Sequence, residues 1–209
     1  MTAEMDAEGD MDLPYFETDP QQDVLVSLRE VSLQVRRVRD GEHQAWKWAV
    51  IAMACAFTSS CVCILSGTAG VGAWEYKEEI NKFFEAFPAD GGPLGPLPQD
   101  PFVGGWIILL DRLQGNKRHE HAGGVYKLDQ DENECLKSLM QQRNGFVHFG
   151  PEGKIVFHSY FPPILLSVLG VLDRITTDDW GFHYFDDAER EEMATLRGAI
   201  RADLEALAG

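Results

Sequence analysis

Apolar residues recur at spacings of three and four along most of this chain, which predicts helices rather than strands. Val24, Leu28, Val31, Val35 and Val38 form the first such stripe. Asp19 stands before it as an N-cap, Pro20 takes the first helical position, and Gln22 is placed to close a capping box, so a helix is expected over 19–40. So narrow a stripe requires a partner helix. A second helix is expected from Glu42 to Ser66, with Gly67 available to end it. No charged residue occurs from Trp48 to Trp74, so a membrane span has to be weighed there. Thr58, Ser59, Ser60 and Ser66 interrupt the run and flanking basic residues are sparse. A buried central helix accounts for the same pattern, with Ala49, Ala52, Ala54 and Ala56 allowing close approach and Ser59 and Ser60 read as packing.

Further on, Tyr76 to Phe87 reads as a short amphipathic helix stopped by Pro88, and Pro88 to Pro101, with five Pro and three Gly, as a loop. Phe102 to Leu113 is a compact apolar helix weakened at its start by Gly104 and Gly105. The polar stretch Gln114 to Leu128 is a loop, after which Asp129 and Glu132 form a capping box for a helix burying Leu136, Leu139 and Met140. A short strand is expected over Lys154 to Tyr160. Pro162 and Pro163 open an apolar helix through Ile175, and a last helix begins near Asp187 with Met193, Leu196, Ile200, Leu204 and Leu207 at helical spacing. The fold class is therefore all-α: a bundle of four to five core helices over 41–176, flanked by amphipathic helices over 19–40 and 177–209.

Composition narrows the picture. The 209 residues, 44% hydrophobic, suffice for a sizeable core. Cys55, Cys61, Cys63 and Cys135 show no C-x-x-C pair, so neither a zinc site nor a disulfide framework is signalled. Met1 to Asp23 holds eight acids and no Lys or Arg, unlike a secretory signal. Residues 1–18 are too poor in apolar side chains to fold alone, and a cytoplasmic protein without membrane association is expected. The net charge of −16 argues against wrapping a polyanion, since nucleic-acid affinity rests on Lys and Arg. The imbalance sits at the ends: Asp173 to the C-terminus carries ten acids against four Arg, while Arg112 to Lys154 carries seven basic residues against six acidic ones.

That balanced middle contains the most chemically suggestive segment, Arg143-Asn144-Gly145-Phe146-Val147-His148. An RNA strand supplies its own 2′-hydroxyl nucleophile, so cleaving it requires only proton movement and a grip on the phosphate. His148 is suited to the first task and Arg143 to the second; Asn144 can orient the imidazole or the phosphate. On a regular helix positions five apart are offset by about 140°, so Arg143 and His148 meet only if Gly145 distorts the helix or two subunits cooperate. His158 and Tyr160 follow closely enough to line the same cleft as weaker substrate-binding candidates. His119-Glu120-His121 lacks the i, i+4 spacing of helical metal ligands and a third partner, so no metal and no cofactor are expected. Asp178-Asp179 and Asp186-Asp187 read as solvated faces or helix caps.

The segment Leu139 to Phe149, with its Arg-Asn-x-x-x-His core, resembles the R-x(4-6)-H signature of the HEPN superfamily (higher eukaryotes and prokaryotes nucleotide-binding). The similarity extends over roughly Glu42 to Ile175 through the Trp-bearing apolar helix upstream and the apolar helix from Pro162. The resemblance implies a helical bundle that homodimerises and brings Arg143 and His148 of two chains to one cleft. It also implies a metal-independent endoribonuclease acting on RNA, as a toxin or effector in bacterial toxin-antitoxin or antiviral defence systems, with an antitoxin or regulatory protein as partner. Since some members are inactive scaffolds, the rival expectation is a non-catalytic dimerisation or partner-binding module, favoured by the acidity and the two flanking helices.

Overall fold

A computed structural model gives the fold and describes residues 18–66, 72–75, 103–116, 125–148, 155–177 and 181–209. Asp19 accepts a hydrogen bond from the Gln22 backbone N–H at 2.8 Å and starts helix α1, Pro20–Arg39. The stripe from Val24 to Val38 is buried throughout. A turn of 3-10 helix at His43–Ala45 leads into α2, Trp46–Ser66. There follow α3, Trp106–Leu113; α4, Gln130–Val147; a 3-10 turn at His158–Tyr160; α5, Phe161–Thr176; and α6, Asp187–Ala208. Among the described residues there is no strand, only an isolated bridge between Trp74 and Val103, so the protein is all-helical.

The uncharged helix α2 is the hub: it packs against α1, α3, α4 and α5, and α6 closes the bundle against α1 and α5. By length and composition the His43–Ser66 segment could cross a membrane, yet it is mostly buried within the bundle. Ala49, Ala52, Ala54 and Ala56 are all buried, which lets neighbouring backbones come close. Thr58, Ser60 and Ser66 return their hydroxyls to carbonyls one turn back, which satisfies the fully buried Ser60 where water does not reach. Ser59 instead donates to Asp23 of α1 at 2.6 Å, a polar link between the first two helices rather than simple packing. Gly181, ahead of α6, lies so close to Ile64 that a Cβ there would sit 2.3 Å from the Ile64 side chain.

Ion pairs fix the outer helices. Arg29 grips Glu192 with two hydrogen bonds of 2.6 and 2.8 Å, Gln22 donates to Glu189, and Arg39 pairs with Asp203. These contacts occur in the same order along both helices, so α1 and α6 run parallel. Arg197 and Arg201 of α6 converge on Asp173 of α5. Arg174 holds Glu132 through a fork of 2.6 and 2.9 Å, joining α5 to α4.

Several local expectations change. Gln22 does not close a capping box: its amide reaches α6, a contact no local pattern reveals. Helix α3 begins at Trp106 rather than Phe102, because Gly105 takes the N-cap position and Gly104 bonds back to the Ala73 carbonyl at 3.0 Å. The expected strand is absent. Residues 155–157 are irregular and His158–Tyr160 turn directly into the Pro-led α5, with no strand to pair with among the described residues. The Asp129–Glu132 capping box forms, and Asp186 caps α6 with Glu189 in the same way. The expected helix over Tyr76 to Phe87, the loop to Pro101, the acidic start up to residue 17, and the groups His119-Glu120-His121 and Asp178-Asp179 lie outside the described residues.

Two measurements check this architecture. Phe57, 1% exposed in the middle of α2, is expected to cost about 3–5 kcal/mol when replaced by alanine, read as a shift of the urea midpoint. A shift no larger than a surface substitution gives would contradict the hub role. Glu132→Gln keeps capping ability but removes the charge paired with Arg174, at a cost below about 1 kcal/mol at neutral pH. The Arg174 fork holds the Glu132 carboxyl below its ordinary range. The pair's contribution is therefore complete above the unfolded value, about pH 4.3, and is lost as pH falls through the lowered folded value. Unfolding across acid pH should be flatter in the variant, and an unchanged pH dependence would refute the assignment.

Candidate functional site

Helix α4 runs unbroken through Gly145 to Val147, and the His148 backbone N–H bonds to the Asn144 carbonyl at 2.8 Å as the helix closes. Gly145 therefore introduces no bend. Arg143 and His148 lie about 140° apart around the axis and about 7.5 Å along it, so one chain does not bring them together. Arg143 is half-buried, and its Nη1 donates to the Asn144 side-chain oxygen at 3.0 Å. Asn144 thus steadies the guanidinium rather than the imidazole. Among the described residues Arg143 makes no ion pair, unlike Arg29, Arg39, Arg174 and Arg201. A neutral amide leaves its charge uncompensated.

The Arg143 charge is felt at Cys55 of α2. Burial and nearby Asp23 push the Cys55 thiol up, and Arg143 partly opposes that rise. Burial also drives Cys63 up to about 12 and raises Cys61 as well, so these thiols stay protonated and serve as packing rather than as nucleophiles or metal ligands. Among the described residues no group of three or more His, Cys, Asp or Glu side chains is placed to hold a metal ion. Beside Cys55 an open apolar groove of about 450 Å³ runs between α1 and α2, lined by Val26, Leu33, Trp48 and Ile51. Val26, Leu33 and Trp48 are each half exposed there.

A second depression, of about 480 Å³, lies where the start of α2 meets the end of α4 and the turn before α5. His43, Gln44, Lys47 and His158 supply its polar wall, and Trp46, Phe146, Val156 and Phe161 its apolar one. The rings of His43 and His158 lie 4.0 Å apart, centre to centre. Trp46 and Phe161 stack beneath at 5.1 Å. Of the Arg143 to His148 segment, only Phe146 lines this depression. His158 does line it, whereas Tyr160 leans edge-on against Phe161 outside the lining. His43 had no signal in the sequence, since its ring partner is 115 positions away and no local spacing joins them.

No family model, curated protein or solved structure matches the chain.

Because Asn144 and His148 are exposed at a helix end, replacing either with alanine is expected to change stability by no more than about 0.5 kcal/mol. Thermal melts of Asn144→Ala and His148→Ala check this, and a drop of several degrees in either would show a structural role.

Proposed function

We propose that this chain is a HEPN-like, metal-independent endoribonuclease that acts as a homodimer. The observation that carries the reading is the half-buried Arg143, held by a neutral side chain at the end of a helix and left without a carboxylate in a protein of net charge −16. A cation that forms no ion pair amid such excess is suited to gripping phosphate. His148 stands in solvent at the same helix end, available for proton transfer.

In the proposed reaction a His148 imidazole takes the proton of the 2′-hydroxyl as that oxygen attacks phosphorus. The bond to the 5′ oxygen breaks, and a second histidine returns a proton to it. The products are a 2′,3′-cyclic phosphate and a 5′-hydroxyl. Arg143 neutralises the charge that grows on the phosphate. In the proposed dimer the second histidine is supplied by another copy of the chain. The groove lined by Val26, Leu33, Trp48 and Ile51 favours that arrangement, because it borders Cys55 and thus the side on which the Arg143 charge acts. The setting proposed is a cytoplasmic toxin or effector of bacterial defence, restrained by an antitoxin or regulatory protein. The same groove favours a second reading, a non-catalytic partner-binding module.

Cleavage of varied RNAs in EDTA by purified dimer decides between them. Arg143→Ala and His148→Ala are each expected to lower the rate about 100-fold or more, with folding intact. Absence of cleavage by a dimeric wild type would rule out the enzyme and leave the partner-binding module.

A further inference from the structure

We propose that the groove between α1 and α2 seats a segment of this same chain, Leu13-Pro14-Tyr15-Phe16, which lies outside the described residues. In that groove, of about 450 Å³, Val26, Leu33 and Trp48 are each left half exposed, and Ile51, Ala52 and Cys55 also line it. Large apolar side chains gathered in one depression mark a contact surface. Ahead of α1 the chain is acidic, and Leu13, Tyr15 and Phe16 are its only large apolar side chains besides methionines. Too few to make a core of their own, they lose contact with water only by lying against a surface built elsewhere.

Reach selects that surface. Phe16 and Leu13 stand three and six positions before Asp19, and extended backbone spans about 10 Å and about 20 Å over those lengths. Val26 and Leu33 stand seven and fourteen positions after it, about 10 Å and about 21 Å along the helix. A chain turning back at the cap therefore brings Phe16 to Val26 and Leu13 to Leu33. Pro14 biases the residue before it toward the extended backbone that this reach needs. Charge agrees. Asp12 and Glu17 flank the segment, and Arg143, which forms no ion pair among the described residues, acts on Cys55 in the groove. The carboxylates already at that place are engaged: Asp23 accepts from Ser59 at 2.6 Å and Glu30 from Gln34 at 2.7 Å. The tether also gives the segment a high effective concentration, which favours it over a second copy in dilute solution. Seated there it holds the groove against a second copy, and only this consequence rests on the dimer proposed above.

Maleimide alkylation of Cys55 in the purified full chain, located by peptide mass mapping, reads how far the groove is covered. In dilute protein the triple variant Leu13→Ser, Tyr15→Ser, Phe16→Ser is expected to react at Cys55 about tenfold faster than wild type, the ratio given by a segment seated about nine-tenths of the time. The wild-type rate should stay constant on dilution, and fully buried Cys61 should stay unreactive in both proteins. Equal rates at Cys55 in wild type and variant overturn the proposal. A wild-type rate that rises on dilution overturns it too, and gives the groove to a second copy. An equal gain at Cys61 would show a loosened fold rather than an emptied groove, and counts against it as well. RNA cleavage enters none of these readouts, so failure of the ribonuclease reading leaves this one standing, and the reverse.

Discussion

The burial of α2 is the constraint on which the rest of the structure depends. A helix whose charged residues end at Lys47 has little to offer water, and hydrophobic burial is the largest favourable contribution to folding. Four other helices must therefore surround it, and each does so with the apolar stripe that its own sequence supplies. Small alanines along α2 let those helices approach, and hydroxyls along it bond to its own carbonyls instead of to absent water. At its beginning polar side chains of three different elements gather.

Charge does a second kind of sorting. Asp173 of α5 and Glu192 and Asp203 of α6 are engaged by arginines of neighbouring helices, so part of the protein's acidity is an internal adhesive rather than a uniform repulsive coat. Against that background Arg143 stands out because its partner is an amide. The contrast is between arginines that pair with carboxylates across the bundle and Arg143, whose hydrogen bond is to a neutral side chain. The cation beside Cys55 and the histidine pair by α2 lie on different parts of the same helix end, linked through Phe146.

Much of the helical framework was legible in the sequence, since apolar spacing marks the buried faces and Asp19, Asp129 and Asp186 announce helix starts by local hydrogen bonds. The placement of Leu136, Leu139 and Met140 on the buried side of α4 follows from the same rule. Non-local facts were not legible. Gln22 satisfies every local requirement of a capping box, yet a carboxylate 167 positions away competes for its amide and wins. The apolar alternation after Lys154 resembles a strand only until one asks what it would pair with. The R-N-x-x-x-H segment was visible, but that Asn144 serves Arg143, and that Gly145 leaves the helix straight, are matters of three-dimensional geometry.

The parallel clasp between α1 and α6 joins residues 163 to 167 positions apart, an unusual separation for a helical protein, whose contacts are mostly local. During synthesis, α1 and α2 emerge with one flank of α1 bare, and the helix that covers it is the last described element to leave the ribosome. Until then that flank lacks its partner helix. Completion of the fold therefore waits on α6, and its timing is set by the position of that helix in the chain.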